Sequence, residues 1–379
     1  MAFTNNKKTK MIAAVIADGM DYVKKSKSYL SESELKNKKY GRSYNVYIPD
    51  PGKVVDGLEA DPSEVNEIEM TITLENKNTS CEIDVWNDLV DIESFRDEIA
   101  VPRGTKLAKS VQQSVIDATA FKAANAVVGE ANLETLAMAS AQLDEAEVAG
   151  TKVSFLAPTV AAKISAQALG KFIPDSIQKD IYGKSYLGEY ATASQITLAG
   201  LPTIKASAAS ATITLTADGD NGFKPITSVT GGAKGEAYKA EGLKLVDVNG
   251  MESDQDYVIV VGENGEIPEI RITVEGKAHN NPNAWVAEGT QTLTLTPMLE
   301  SGKEYFVGVV REETALAFDT YKFSDLPGSE NETVTVDGVS LKMSKYGDGN
   351  KMQSLVRLDV PFAAGIPDAR RQCVVYIEK

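Results

Sequence analysis

Histidine is almost missing from this chain of 379 residues. His279 is the only one, so no metal site can be built from several histidines and no catalytic site can draw on a pair of them. Its neighbours Asn280, Asn281 and Pro282 predict a surface loop. Carboxylates are plentiful, but no pair stands out as an acid and a base. The sequence therefore predicts neither a catalytic centre, nor a metal site, nor a cofactor.

Cysteines, aromatic residues and long apolar runs are also scarce. Cys81 and Cys373 lack CxxC spacing, which predicts two free, buried thiols in a reducing compartment. An aromatic content of 7% disfavours a deep, aromatic-lined ligand pocket. The apolar run Met11–Ala17 is too short for a membrane span, and no cleavage site follows it. We therefore expect neither a signal peptide nor a membrane anchor, and a protein made in the cytoplasm.

Two glycine-containing motifs resemble ligand sites only superficially. Asp218, Asp220 and Gly222 could begin a calcium loop, but position 229, where the bidentate acid would stand, is valine. A turn is the simpler interpretation. The stretch 231–235 is rich in glycine but lacks the P-loop spacing, so phosphate binding is not expected. It predicts a flexible, charged loop, which is either a solvated surface or a subunit contact across a two-fold axis.

Charge is divided unevenly along the chain. The net charge is −15, but the first 42 residues carry +6 and the remainder carries −21. A basic arm on an acidic body can either contact an acidic partner or balance a neighbouring subunit. The acidic body should repel nucleic acid rather than bind it.

The first half of the chain predicts helices and one long hairpin. Apolar residues at helical spacing predict a helix over 7–28, whose stripe resembles a docking face. Strand alternation over 44–48 and 67–74 predicts a hairpin whose tip has little to bury, and such a hairpin is marginal alone. The remaining predicted elements are a long helix over about 105–128 with Phe121 on its inner face, a helix over 133–148, a strand at 153–156 and a helix from about Pro158 to Gly170.

The amino-acid composition of the chain changes after Leu201. Residues 206–298 are rich in Thr, Gly and Val, with short strands separated by turn signals such as Asn249-Gly250. This pattern predicts a small β-barrel or sandwich inserted into a domain that begins near residue 150. Strands at 305–310 and 373–377 complete that domain.

The order of these parts resembles a known family. The residues that carry the resemblance are Gly41–Pro49 (GRSYNVYIP), Asp88–Arg103 (DLVDIESFRDEIAVPR) and Leu107–Glu130 with its Ala123–Asn125 core, with weaker echoes at Asp180–Gly183 and Gln195–Pro202. Together they resemble the major capsid protein of a tailed bacteriophage with the Hong Kong 97 fold. They are most similar to the coat proteins of short-tailed Salmonella-type phages, which carry an insertion domain.

The resemblance implies an α+β fold with named domains. Residues 1–42 would be an N-terminal arm and 43–85 the E-loop hairpin, lying over a neighbouring subunit. Residues 86–172 would form the P-domain with its spine helix, and 173–205 with 299–379 the A-domain around the capsomer axis. Residues 206–298 would be the inserted β-barrel, smaller than that of the relatives.

The implied function is structural. The chain would form hexamers and pentamers in an icosahedral head that encloses double-stranded DNA, without sequence-specific binding and without enzymatic activity. It would be assembled in the bacterial cytoplasm and found in the virion. A portal is implied, and so is a separate scaffolding protein, because the chain lacks a long N-terminal helical region. The alternative is a β-rich adhesin or carbohydrate-binding protein with 206–298 as the binder, which the missing signal peptide and scarce aromatics disfavour.

Charged residues in four segments are candidate subunit contacts. The Arg96-Asp97-Glu98 cluster could be an intrachain ion pair or an intersubunit salt bridge. The full set comprises Lys7, Lys8, Lys10, Lys24, Lys25 and Arg42 in the arm, Lys53, Asp56, Glu59 and Glu64 at the hairpin tip, Arg96, Asp97, Glu98 and Arg103 before and in the long helix, and Lys234, Glu236, Lys239 and Glu241 in the glycine-rich loop.

Overall fold

The computed structural model describes most of the chain. The described residues are 2–29, 43–49, 67–84, 96–145, 148–168, 189–190, 192–207, 209–215, 217–218, 222–223, 229–241, 245–247, 257–262, 272–274, 277–279, 285–287, 291–321, 325, 328–348 and 353–379. The chain divides into two compact units. Unit 1 comprises Met1–Tyr47, Glu69–Ile116 and Leu316–Gly365, and unit 2 comprises Ile48–Ile68, Asp117–Ala315 and Ile366–Lys379.

Helices and strands are mixed, as the predicted α+β class requires. The α-helices are α1 Ala2–Asp18, α2 Val101–Thr119, α3 Leu133–Glu145 and α4 Pro158–Ala168. The strands up to the glycine-rich loop are β1 Ser43–Pro49, β2 Glu67–Asp84, β3 Asn125–Gly129, β4 Lys152–Leu156, β5 Glu189–Tyr190, β6 Ala193–Thr197, β7 Thr203–Lys205, β8 Ala211–Leu215, β9 Ala217–Asp218 and β10 Gly222–Phe223.

Strands dominate the second half of the chain. They are β11 Ala237–Ala240, β12 Leu245–Asp247, β13 Tyr257–Val260, β14 Ile272–Val274, β15 Lys277–His279, β16 Trp285–Ala287, β17 Gln291–Pro297, β18 Glu304–Glu312, β19 Ala317–Thr320, β20 Glu330–Val336, β21 Val339–Asp348, β22 Gln353–Gly365 and β23 Gln372–Glu378. His279, predicted to lie in a surface loop, instead ends β15, which pairs with β14 in antiparallel register.

Unit 1 is built on a sheet with the order β1-β2-β22-β21-β20, in which β19 also pairs with β22. The hairpin of β20 and β21 turns at Asp337 and Gly338, both of which have positive φ angles of 47° and 79°. This conformation is typical of a two-residue Asp-Gly hairpin turn. Helix α1 covers β20 and β21 with Ile12 and Ile16 buried, and Met20, two residues after the helix, is buried too. The apolar stripe of the predicted arm is therefore used within its own chain and is not a free docking face.

The long helix α2 ends earlier than predicted. The sequence predicted a helix to residue 128, but α2 stops at Thr119, and residues 125–129 form β3. The Gln372 side chain donates from Nε2 to the carbonyls of Thr119 (2.7 Å), Ala120 (3.3 Å) and Lys122 (3.3 Å). These bonds satisfy carbonyls that a helix end leaves without partners. The valine-rich segment that follows then pairs in parallel with β23.

Unit 2 contains a seven-stranded mixed sheet with the order β3-β23-β18-β4-β6-β5, in which β7 pairs with β18. Strands β3 and β23 are parallel, as are β4 and β6, while β18 is antiparallel to both of its long neighbours. Residues from α3 and α4, among them Leu136, Leu143, Val160 and Ile164, pack with β-strand residues in one apolar cluster. The two predicted helices and the strand between them are thus confirmed, with α3 ending at Glu145 rather than residue 148.

Unit 2 also contains a second, four-stranded sheet with the order β13-β11-β17-β8. All four strands lie within 206–298, the range predicted as an inserted barrel. Strand β11 was missed, because alternating charges suggested a flexible loop there. Its buried face instead carries Tyr238 and Ala240, while Lys239 remains exposed. Whether 206–298 is an independent domain stays a prediction.

The two units divide the chain differently from the predicted domains. Residues 316–365, predicted in the A-domain, belong to the unit that contains most of α2. Helices α3 and α4, predicted in the P-domain, belong to the other unit. Strand pairing is the reason. Strand β22 pairs with β2, which places residues 316–365 in unit 1, and β4, between α3 and α4, pairs with β18 of unit 2.

Cys81 and Cys373 are both free and buried, as the sequence predicted. Burial raises the pKa of the Cys81 thiol, and Arg103 opposes this effect. In the described part of the chain, no helix is long and apolar enough to span a membrane.

Candidate assembly surfaces

The N-terminal helix presents only part of its basic charge. Lys7 and Lys10 are exposed, but Lys8 is buried, so it is less available to a partner than the sequence suggested. Thr9, one residue further on, contacts Met343 Sδ through its hydroxyl at 3.6 Å. The helix is thus tied to the sheet of unit 1, and its exposed lysines are held in place rather than carried on a free arm.

Lys24 already has acidic partners within the chain. Its Nζ lies 2.8 Å from Asp21 and 3.4 Å from Asp18. The hydrogen bond to Asp21 is the main reason that the pKa of Lys24 is raised. Lys25 is half-buried. The second basic cluster of the predicted arm is therefore partly neutralised within its own chain.

One buried carboxylate joins the N-terminal segment to the hairpin. Asp319, in β19, is 2% exposed. It accepts hydrogen bonds from Ser28 Oγ (2.5 Å), the Tyr29 backbone N–H (3.3 Å) and the Tyr44 hydroxyl (2.7 Å). Burial, and then the nearby Asp319 charge, raise the pKa of Tyr44 well above its usual range, so its hydroxyl remains a donor. We call Asp319, Ser28, Tyr29 and Tyr44 the Asp319 cluster.

The base of the predicted E-loop hairpin lies in the core of unit 1. Tyr44 and Val46 from β1 and Ile72 from β2 are buried against Ala317 and Ala363. Thr71 Oγ1 donates to Asn45 Oδ1 at 3.0 Å, which places these residues side by side on the paired strands. The hairpin was predicted to lie over a neighbouring subunit. That prediction is wrong for its base, because these side chains complete an apolar cluster.

Candidate contact residues also lie before α2 and at its start. Arg96, Asp97 and Glu98 begin a short π-helical turn, Arg96–Ala100, and Asp97 is exposed. Arg103 donates from Nη1 to the Ser80 carbonyl at 2.7 Å, so it has a partner on β2. The other predicted contact residues at the hairpin, Arg42, Lys53, Asp56, Glu59 and Glu64, lie outside the described residues.

The glycine-rich loop has a buried acid at its centre. Glu236 is 3% exposed and accepts from the Ser207 N–H (2.6 Å), Ser207 Oγ (2.7 Å), the Ala233 N–H (3.4 Å) and the Tyr238 hydroxyl. Burial alone would raise the pKa of Glu236, but the hydrogen bonds from Tyr238 and Ser207 outweigh it and lower the pKa. The predicted contact role of Glu236 is therefore wrong, because its carboxylate is used internally. We call Glu236, Ser207, Ala233 and Tyr238 the Glu236 cluster.

Gly235 anchors this loop to the rest of unit 2. Its φ angle is +84°, and a Cβ there would lie 2.8 Å from the ring of Phe121. The buried Tyr376 hydroxyl donates to the Gly235 carbonyl at 2.7 Å. Glycine is required at this position by both conformation and space. The loop is rigidly seated, and only Lys234, Lys239 and Glu241 of its predicted contact residues are exposed.

Sequence reasoning missed the buried charges of the sheets. Asp319, Lys342 and Asp359 in unit 1, and Lys152 and Arg311 in unit 2, are all at most 3% exposed. Asp359 accepts from Arg357 and from Asn76 Nδ2 at 2.8 Å, and Lys152 donates to the Ser140 carbonyl at 3.0 Å. The one sequence signal that could have revealed Asp319 is its position directly after the apolar run Ala315–Phe318. Within the described ranges, no group of three or more His, Cys, Asp and Glu side chains could hold a metal ion.

Comparison with known proteins gave structural neighbours only. No protein-family model matches the chain, and no curated protein does. The solved structures that resemble it include one from Mycobacterium phage Che8, at 9% identity and a TM-score of 0.45, covering 91% of this chain and 88% of that one. The capsid structure of the cyanophage P-SCSP1u matches at 11% identity and a TM-score of 0.46, covering 89% and 84%. The virus-like particle from Pyrococcus furiosus matches at 10% identity and a TM-score of 0.41, covering 97% of this chain and 98% of that one.

Proposed function

We propose that this chain is the major capsid protein of a tailed bacteriophage, with a fold of the Hong Kong 97 type. It polymerises into hexamers and pentamers of an icosahedral head that encloses double-stranded DNA. The chain then acts by binding copies of itself rather than by catalysing a reaction. A separate scaffolding protein and a portal are the further partners of this proposal.

The observation that carries the proposal is the shape of the hairpin. Strand β2 has 18 residues, but β22 accompanies it only from Leu74 to Asp84. Among the described strands, β1 is the only other neighbour of β2. Beyond Ile72, whose side chain still packs in the core of unit 1, the described hairpin is thus a two-stranded ribbon at the edge of a larger sheet. An isolated two-stranded ribbon is marginally stable in water, so a ribbon of this kind favours a surface on another subunit.

Charge supports the same proposal. A body with a net charge of −21 beyond residue 42 avoids binding DNA to the shell wall. The exposed basic residues Lys7 and Lys10 lie on α1 and can meet acidic surface on a neighbour or a scaffold. Among the described residues, the other exposed candidates for subunit contacts are Lys24, Asp97, Lys234, Lys239 and Glu241.

The direct test is the size of the purified chain. We expect sedimentation velocity to show capsomers or megadalton particles, and negative-stain micrographs to show closed shells. An adhesin or carbohydrate-binding protein would remain small under the same conditions. A monodisperse monomer across protein concentration, with and without co-expressed phage scaffold, would contradict the proposal.

A deletion tests the role of the hairpin within that assembly. Removing Lys53–Glu64 should leave the urea-unfolding midpoint of the monomer unchanged and abolish particles. A matched control replaces the same residues with Gly and Ser at equal length, which separates loss of side chains from loss of reach. If the deletion unfolds the monomer, the hairpin tip serves its own subunit instead.

A further inference from the structure

We propose that Asp319 is a positioning residue that couples the N-terminal segment, residues 2–29, to the hairpin. Its carboxylate would hold the end of that segment and the start of β1 at one point, so that loosening either one loosens the other. The relevance of this coupling to shell assembly rests on the proposed function, but the coupling itself is a property of the single chain.

The donors of the Asp319 cluster come from two segments of unit 1 that are separated in sequence by residues 30–42. Ser28 and Tyr29 end the described N-terminal segment, and Tyr44 lies at the start of β1. They are 291, 290 and 275 residues from Asp319. One carboxylate thus receives hydrogen bonds from both the N-terminal segment and the hairpin.

The backbone supports the same junction. The Lys27 N–H donates to the Leu316 carbonyl at 2.8 Å, and the Phe318 N–H donates to the Lys27 carbonyl at 3.1 Å. The N-terminal segment thus lies beside β19 as a short parallel bridge. Asp319 lies two residues after Ala317 in β19. There its carboxylate accepts hydrogen bonds from Ser28 and Tyr29 of the N-terminal segment and from Tyr44 of the hairpin.

Packing alone does not explain a charge at this position. The apolar cluster of Tyr44, Val46, Ile72, Ala317 and Ala363 already holds the hairpin base. A buried carboxylate is costly unless donors surround it, and it is unfavourable as soon as one donor is removed. Such a group favours one arrangement of its donors over all others. Because its donors belong to two segments, Asp319 favours one position of the N-terminal segment together with one position of the hairpin.

Hydrogen exchange on the purified monomer tests the coupling. Tyr44→Phe removes one donor with little change in shape. We expect it to accelerate exchange at the Tyr29 amide, 15 residues away in another segment, by about tenfold or more, the range expected for one lost bond to a charged group. Ser28→Ala should accelerate exchange at the amides of Tyr44 and Val46 in the same way. Asp319→Asn should do both.

A matched control distinguishes coupling from general destabilisation. Asp359→Asn alters another buried aspartate of the same sheet, bonded to Arg357 and Asn76 instead. At an equal loss of global stability, it should leave the ratio of exchange rates at Tyr29 and Val46 unchanged relative to the rest of unit 1. If Tyr44→Phe accelerates exchange only within the hairpin, and Ser28→Ala only within the N-terminal segment, the proposal is wrong.

The same variants separate this proposal from the proposed function. If coupling is found, Tyr44→Phe and Ser28→Ala should slow particle formation, followed by light scattering, by similar factors. Coupled exchange in a wild-type chain that never assembles would overturn the shell function and leave the Asp319 junction standing. Normal assembly of wild-type protein with uncoupled exchange in the variants would overturn the Asp319 proposal alone.

Discussion

Two buried carboxylates in this chain use nearly the same donors for different purposes. Asp319 in unit 1 and Glu236 in unit 2 each accept from a tyrosine hydroxyl, a serine hydroxyl and at least one backbone N–H. The donors to Asp319 lie at least 275 residues away in sequence, whereas those to Glu236 lie at most 29 residues away. Identical chemistry therefore closes a loop in one unit and joins distant segments in the other.

The difference shows what sequence separation does to a polar cluster. Closing a local loop costs little conformational entropy, so the Glu236 cluster can form as soon as its own segment folds. The Asp319 cluster can form only after the rest of its sheet has assembled. We therefore expect the Glu236 cluster to affect mainly the stability of unit 2, and the Asp319 cluster to affect how two segments are arranged.

The largest predicted effect concerns the packing beneath the local cluster. Phe121 is buried and contacts Gly235. Phe121→Ala should lower the free energy of unfolding by about 3–5 kcal/mol, because it deletes a ring from a filled core. Urea unfolding of the monomer measures this loss. An unchanged midpoint would mean that Phe121 serves a subunit contact and that the local cluster does not rest on a packed core.

Neutralising the local carboxylate should have the next largest effect. Glu236→Gln should cost about 1.5–3 kcal/mol near neutral pH, the scale of hydrogen bonds to a charged group. Because the pKa of Glu236 is lowered in the folded state, its contribution is complete above the unfolded pKa of about 4.3 and is lost as pH falls through the folded value. Urea midpoints of wild type and Glu236→Gln should therefore converge below about pH 4. A gap that stays constant with pH would show that Glu236 does not act as a carboxylate.

A smaller effect is expected from the tyrosine that holds the loop. Tyr376→Phe removes one hydrogen bond to Gly235 without leaving a cavity, and should cost about 1 kcal/mol. Tyr321→Phe is a matched control in unit 1, since its hydroxyl donates to the Glu75 carbonyl at 3.0 Å from a half-buried position. We expect the control to cost less. Equal shifts in melting temperature in the two variants would show that burial of the hydrogen bond between Tyr376 and Gly235 adds nothing to stability.

The smallest effect should come from the surface ion pair of Lys24. Its side chain is 44% exposed, and exposed pairs contribute roughly 0.2–1 kcal/mol. Lys24→Gln should shift the melting temperature of the monomer by about a degree or less at physiological salt. A larger shift would show that the charge of Lys24 also fixes the position of the N-terminal segment. Asp319 would then not be the main residue that positions this segment.

The sequence predicted best those elements whose pattern is local. The apolar spacing of α3 and α4 and the alternation of β18 and β23 identified each of these elements. Sequence-based prediction failed where a residue distant in sequence determines the local structure. Nothing near Thr119 indicates that Gln372 will cap α2 there. Charges around residue 236 suggested a loop, because a buried acid cannot be told from an exposed one until its donors are known.

The same limit applies to the candidate contacts. Lys7 and Lys10 are exposed as a charged helix surface predicts, whereas Glu236 and Lys8 are buried. Asp319 was not identified at all. Its partners Ser28 and Tyr44 have no pattern in common with it. The pairing of β22 with β2 and β19 brings the hairpin to Asp319, and the bridge between Lys27 and Ala317 brings Ser28.

Strand β23 determines when unit 2 can fold during synthesis. It pairs with β3 on one side and β18 on the other, and Cys373 lies opposite Asn125. At about 5–20 residues per second, a ribosome needs on the order of tens of seconds to make the chain between them. During that time one edge of β3 has no strand to pair with, and the helix cap on α2 cannot form. Until β23 has been made, unit 2 therefore lacks the strand that joins β3 to β18, and its seven-stranded sheet cannot be completed.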